Sequence, residues 1–334
     1  MRLTIGTRPL LAGMAAAFAV SAPGIVCAQE TSQQVNGTAP VITATAGDAA
    51  QDAASSQDAA TPSTTKAAAD TPTPWSLAVA AGISNRDDGP NGSWQSLALT
   101  RQIGRGYVRG SLMRYHGTLL QADTALPSDY LVGTIGAGGN FDNWVVDGWA
   151  SYGWQDYGRI STDAGKRNST GAKGSPYYSV GGDFGRVFPL GSRLFATPTM
   201  TVSYAHGRLL HPAPEESNVI DLETEEPTWS SAATLRIDHA FGREGKQYVG
   251  LSVARAWTSN AVSEPLVRSR EEAIEAAMTG IMPARHIEDG WWEIGATANM
   301  RITDKLGLDL YATRSFNALA GNTTSAGISL RRSF

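Results

Sequence analysis

Asp238 and His239 stand side by side in the segment TLRIDHAF. An aspartate and a histidine in contact are what hydrolytic enzymes use to activate a nucleophile or a water. The other imidazoles of the 334-residue chain are His116, His206, His211 and His286. The adjacent pair fails a geometric test. The residues around it alternate apolar and polar with a period of two, the mark of a β-strand, and neighbouring side chains leave a strand on opposite faces. Asp238 therefore shares a face with Arg236 as an ion pair, while His239 shares the other with Phe241. No nucleophile elbow is present, and GAGGN (136–140) precedes a strand rather than a helix, so it is no phosphate loop. No His, Asp or Glu cluster has metal-ligand spacing. The expectation is a protein with no enzymatic activity, no cofactor and no metal. A formal net charge of −4 without a basic stripe also argues against a nucleic-acid partner.

What remains is a set of charged residues on the polar faces of alternating segments: Asp147, Asp183, Arg236, Asp238, Glu293, Arg301 and Asp309. Opposed carboxylates and guanidiniums on an inner face could line a channel, grip a threaded segment, or simply solvate and brace a lumen. Two connecting regions carry further signals. Within 259–287, Ser269 and Glu272 have capping-box spacing, Gly280 suits a helix stop, and Ile274, Ala277, Met278 and Ile281 fall on one face. Such a helix could form a lid or bind a partner, and packing on a rim is the plainer expectation. PAPEESNVIDLETEEP (212–227) is acidic and is expected to be a solvated loop, able to attract divalent cations.

The elements that must position these residues are strands. In WWEIGATANMRI (291–302) apolar Trp292, Ile294, Ala296, Ala298, Met300 and Ile302 alternate without a gap against the other set. Twelve such segments are expected, near 75–85, 93–103, 107–116, 129–138, 143–156, 176–188, 194–206, 228–241, 247–258, 288–302, 306–315 and 323–334. Tight turns (Gly104-Arg105-Gly106, GNFDN, PLGSR, GREGK, TDK) alternate with long connections (117–128, 157–175, 207–227, 259–287). In an up-and-down arrangement all tight turns then lie at one end, as in outer-membrane barrels. On the fifth segment the terminal tryptophans, Trp144 and Trp154, are about 33 Å apart along the strand. With a tilt of about 40° this spans about 25 Å, the apolar band between aromatic girdles. Trp75, Trp144, Tyr152, Trp154 and Trp292 are the expected girdle. Arg101, Arg186 and Arg332 fall near the periplasmic ends of apolar faces and Arg255 near an outer end, where a long side chain can snorkel. The fold class expected is all-β: a transmembrane antiparallel up-and-down β-barrel of about twelve strands.

Residues 1–28 read as a cleaved secretory signal, with Arg2 and Arg8, an apolar core from Leu10 to Val20, and a cut after Ala28. Cleavage would remove the one cysteine, Cys27, and with it disulfide and thiolate chemistry. Residues 29–74 are Ala-, Thr-, Ser-, Gln- and Asp-rich without an aromatic, and are expected to be a disordered linker or a lumen-threading segment. AGDAAQDAASSQDAA (46–60) could be helical if enclosed. The barrel is expected to occupy 75–334. No later run of about 18 uncharged apolar residues offers a spanning helix.

At WWEIGATANMRITDKLGLDLYATRSF (291–316) the chain resembles the penultimate hairpin of autotransporter translocator domains. YSVGGDFGRVFPLGSRLFATPTMTVSYAH (178–206) is similar to that family's mid-barrel hairpin. The terminal SAGISLRRSF resembles its C-terminal strand, with Phe334, Leu330 and Ile328 as the outer-membrane assembly signal; Arg332 departs from the usual apolar residue two places before the end. The resemblance implies a twelve-stranded barrel with a helix threaded through the lumen, in the outer membrane of a Gram-negative bacterium. It implies as partners outer-membrane lipid and lipopolysaccharide, the barrel-assembly machinery and periplasmic chaperones. The sequence leaves the oligomeric state open. Family members carry a large passenger, whereas 29–74 can hold no folded domain. A translocator that threads or displays this short segment is the first expectation. A small-solute channel, and a structural or adhesive surface protein acting through its loops, are the alternatives.

Overall fold

The computed structural model describes residues 75–87, 91–121, 124–162, 165–213, 220–241 and 247–334. The expected signal peptide, segment 29–74 and the 242–246 turn lie outside these residues. Twelve long strands form one sheet: β1 (Trp75–Arg86), β2 (Gly92–Ile103), β3 (Gly106–Gln121), β4 (Thr124–Phe141), β5 (Trp144–Tyr157), β6 (Gly174–Arg186), β7 (Leu194–His211), β8 (Leu222–Phe241), β9 (Gln247–Pro265), β10 (Ala284–Thr303), β11 (Leu306–Phe316) and β12 (Thr323–Ser333). Each pairs antiparallel with its neighbours in sequence, and β12 returns to β1 in a register running from Ser76↔Ser333 to Arg86↔Thr323. The sheet is thus a closed barrel. Closure leaves no edge strand, so the wall satisfies its backbone internally. The seam is held at both ends. The Phe334 N–H donates to the Trp75 carbonyl at 3.0 Å, and across the other end Arg314 forks onto the Asp87 carboxylate, with Nη1 2.9 Å from Oδ1.

Tight turns gather at the end where β1 starts and β12 stops. Asp142 and Asn143 link β4 to β5 with φ of 54° and 69°, the two-residue type I′ turn whose twist matches the flanking strands. The opposite end carries the long connections, among them helix α1 (Arg270–Thr279).

The two faces of the wall are inverted relative to a soluble protein. On β5, Val145, Asp147, Trp149, Ser151 and Gln155 are buried, while Trp144, Val146, Tyr152 and Trp154 are exposed. The outward face is apolar all round, and Ile135 and Leu251 are 70% and 69% exposed. Apolar surface this continuous needs acyl chains rather than water as its solvent. No helix among the described residues is long and apolar enough to cross a membrane; the strands cross instead. Inside, rings meet rings. Trp94 stacks with Tyr311 at 6.3 Å, and Tyr130 meets Tyr115 and Tyr177 edge-on at 6.3 and 6.4 Å. Small wall residues make room for them. A Cβ on Gly327 would fall 2.4 Å from the Tyr311 ring, and one on Gly82 2.6 Å from Trp94.

Strand lengths depart from expectation. β3 and β4 run to Gln121 and from Thr124, so 117–128 is no long loop. β7 to β10 reach 18–20 residues and absorb much of 207–227 and 259–287. The extra residues stand beyond the apolar band, where buried residues fall in runs, such as Leu209-Leu210 and 260–263, rather than on alternate positions. The period-two contrast fades there although the ladder continues.

Candidate functional site

The bore gathers charge on the inward face of this wall. The seven residues expected to line it all project from the inward face, in three different settings. Asp147, Asp183, Arg236, Asp238 and Asp309 lie within a few residues of the periplasmic turns and are buried. Arg236 and Asp238 are paired, Nε to Oδ2 at 2.8 Å, with the guanidinium 6.0 Å above the Tyr248 ring. Asp147 and Asp183 face each other across β5 and β6 in register, yet each has its own partner. The Tyr107 hydroxyl donates to Asp147, with Arg109 Nη2 at 4.0 Å, and the Thr201 hydroxyl donates to Asp183. The Asn299 side-chain amide donates to Asp309. One oxygen each of Asp147, Asp238 and Asp309 is buried without a hydrogen-bond partner among the described residues. Glu293 sits higher, accepting from Trp291 Nε1–H at 2.7 Å. Arg301, near the end of β10, reaches into the β10–β11 turn and pairs with Asp304 at 3.0 Å. Asp238 and His239 point to opposite faces, buried and exposed respectively.

The outer mouth is built from residues expected to be solvated, and this is a correction. Of the acidic 212–227 stretch, 214–219 lie outside the described residues, while Asp221, Glu223 and Glu226 are buried. Arg167, on a two-stranded ribbon between β5 and β6, places both terminal nitrogens 2.7 Å from the two Asp221 oxygens. The N–H groups of Ala213 and Thr170 also donate to Asp221, at 2.7 and 2.8 Å. Burial disfavours the charged carboxylate, but the Arg167 fork and the two N–H donors outweigh it and hold the pKa at about 2. Glu223 accepts from the Tyr157 hydroxyl at 2.8 Å and pairs with Arg208 at 3.4 Å. Burial first, and Glu223 second, push the Tyr157 phenol well above its usual range, so it remains a donor. Glu226 collects four contacts: Asn260 Nδ2 at 2.7 Å, Ser263 Oγ at 2.8 Å, the Thr224 hydroxyl, and His286 Nε2 at 3.6 Å. His211 Nε2 lies 3.0 Å from Thr224 Oγ1, and burial pulls its pKa down to about 4. Among the described residues no three His, Asp or Glu side chains converge as metal ligands. These carboxylates brace loops and strand ends. Sequence reasoning missed them because each partner comes from another strand or loop.

Helix α1 is capped as the sequence indicates. Ser269 Oγ accepts the Glu272 N–H at 3.1 Å, and Gly280 ends the helix at φ 76°. The Glu272 carboxylate, however, accepts the N–H of Arg268, not that of Ser269. Rim packing by the apolar face is also corrected. Ile274 and Met278 are exposed, and Ala276 is the buried residue.

On the outer wall the expected girdle residues Trp144, Tyr152, Trp154 and Trp292 are exposed, with Trp75 partly so. Ile328, Leu330 and Phe334 project outward beside β1. Each of three outward arginines lies over a ring: Arg101 over Trp75 at 5.3 Å, Arg186 over Trp144 at 5.0 Å, and Arg255 over Trp292 at 5.6 Å.

A twelve-stranded wall with a polar bore, apolar exterior and sorted connections is an outer-membrane-type barrel, and a family model decides between its kinds. Residues 121–313 match the autotransporter β-domain model. The chain belongs to the autotransporter β-domain family. As such it is a translocator-type barrel in contact with lipid. Among solved structures, the translocator domain of the autotransporter NalP from Neisseria meningitidis is similar at a TM-score of 0.57 and 12% identity, covering 87% of this chain and 98% of that one. The β domain of the Bordetella autotransporter Brka is similar at 0.51 and 15% identity, covering 78% and 98%. At these identities the likeness carries the fold alone. No curated protein sequence matches the chain.

Proposed function

We propose that this autotransporter β domain resides in the outer membrane of a Gram-negative bacterium and carries its own residues 29–74 through the bore for display outside. The observation that carries the reading is the inverted wall, apolar without and charged within, whose first strand begins at the periplasmic mouth of the bore. A segment rich in Ala, Ser, Thr and Asp passes such a bore without meeting lipid. The barrel does no covalent chemistry. In support, the mouth histidines His211 and His286 are occupied by Thr224 and the Glu225 carbonyl, and Asp238 and His239 diverge. Its partners are lipopolysaccharide on the outer rim, and the assembly machinery and chaperones that read the terminal Ile328, Leu330 and Phe334.

Three measurements test this. The folded barrel should migrate faster on a denaturing gel unheated than boiled; recovery as a lipid-free soluble protein would overturn the membrane reading. Protease applied to intact cells should remove 29–74, and full protection would overturn display. In a planar bilayer, deleting 29–74 should raise conductance. A high conductance in the intact chain, unchanged by the deletion, would favour a small-solute channel.

A further inference from the structure

The charged residues of the outward face are few, and Arg255 differs from the rest in its surroundings. It lies on β9, in register with Trp292 of β10 and Ala233 of β8. Counting from the periplasmic end of each strand, Arg255 and Trp292 stand about 20–28 Å up the wall, the height of the outer girdle. Around the guanidinium the wall is small. Ala233 is its neighbour across the strand, and Ser231 and Gly290 are the outward residues paired with Trp257. A Cβ on Gly290 would sit 2.9 Å from Arg255 Nη2, so the guanidinium folds over that glycine. Trp257 and Trp292, both exposed, wall the notch, and Trp292 supplies a ring face beneath the charge.

No carboxylate or other acceptor among the described residues meets the Arg255 donors. Other arginines, by contrast, find carboxylates: Arg236 has Asp238 in the bore, Arg167 and Arg208 have Asp221 and Glu223 at the mouth, and the outward Arg114 and Arg314 have Asp129 and Asp87. Arg101 and Arg186 also face lipid, but they lie at the periplasmic ends of their strands. Arg186 is wedged between Trp144 and Phe188, rings at 5.0 and 5.4 Å, with no small-residue notch beside it. A desolvated guanidinium needs acceptors, and its planar fork matches the oxygens of a phosphate. The ring beneath fixes the fork in place without satisfying any N–H.

We propose that the notch formed by Arg255, Trp257, Trp292, Ser231, Ala233 and Gly290 binds a phosphate group of an outer-leaflet glycolipid headgroup. The guanidinium takes the phosphate oxygens, the Ser231 hydroxyl adds a donor at the notch edge, and the two tryptophans flank the sugar to which the phosphate is attached. The acyl chains run down the apolar face of Val253 and Ile294. This rests on the outer-membrane reading above.

The test uses the full chain, purified folded in detergent micelles doped with bisphosphorylated lipid A. Retained lipid is counted by native mass spectrometry, and binding is followed by tryptophan fluorescence. Heat-modifiable migration of every variant is checked first; its absence in the wild type would mean the membrane reading had failed, a different result from failure of the site. The expected result is roughly tenfold weaker lipid A binding in Arg255→Ala and in Arg255→Gln, as loss of a charge-assisted pair predicts. Arg101→Ala should bind as the wild type does. Dephosphorylated lipid A should bind the wild type as weakly as lipid A binds the variant. Unchanged binding in both Arg255 variants would overturn the proposal, as would equal binding of the dephosphorylated lipid. Inorganic phosphate alone, if it reproduced the fluorescence change, would overturn the glycolipid assignment and leave a plain anion site.

Discussion

The bore and the outer wall of this barrel treat the same side chain in opposite ways. Arginines facing inward are matched to carboxylates, and the match continues above the membrane in Arg167–Asp221 and Arg208–Glu223. Arg101, Arg186 and Arg255, which face lipid, are laid on tryptophan, while nearer the outer rim the outward Arg114 and Arg314 pair with Asp129 and Asp87. The inner pairs hold strands and loops together, so their removal strands a buried charge. The outer stacks lie on a surface that lipid headgroups can reach, so their removal leaves no orphan. The difference predicts a graded series of effects.

The largest is at Glu226. Changing it to Ala leaves Asn260, Ser263 and Thr224 without their acceptor and should cost about 3 kcal/mol locally. Hydrogen exchange over 258–265 and 284–290 should rise sharply. Unchanged protection would mean that the mouth is held by something else. Asp221→Asn comes next, at about 2 kcal/mol, because it weakens the Arg167 fork. Trypsin should then cut after Lys166 or Arg167 in the otherwise folded barrel.

Acid should open the mouth in two windows. His211 has a folded pKa of about 4, below its ordinary 6.5, so protonation favours the opened form and protection falls as pH drops from about 6.5 to 4. Asp221, at about 2 folded against 3.8, contributes fully above about pH 4 and loses that contribution as pH falls towards 2. His211→Asn should erase the first window and keep the second. Smaller still, Arg186→Ala should cost at most about 1 kcal/mol, read as the temperature at which the folded gel band disappears. A loss there equal to that of Glu226→Ala would break the contrast between bore and wall. Ser269→Ala should fray α1 by about 1 kcal/mol and leave the barrel's gel shift unchanged.

Where lipid lies on one side and polar groups on the other, the fold was legible residue by residue. Trp292 to Ile302 and Trp144 to Trp154 show their outward faces in plain alternation. The charged bore residues followed from the same parity, since Asp147 and Asp238 could point nowhere else. Above the membrane the solvent is the same on both faces, and alternation stops marking strand ends. For that reason LETEEP, the start of β8, read as loop. The burial of Asp221 depends on Arg167, 54 residues away, and no local pattern encodes that encounter. The helix cap was local and therefore legible. The exposure of Met278 was not, because it depends on what the rim offers.

The barrel's strands differ in length around its circumference. β11, β12, β1 and β2 have 11–12 residues, and β7 to β10 have 18–20. At about 3.3 Å per residue and a tilt of about 40°, one side of the parapet overtops the other by about 20 Å. The aperture is therefore cut on a slant, like the lip of a jug. Anything leaving it pours out over the β12–β1 seam, while the high side still shields it from the surroundings.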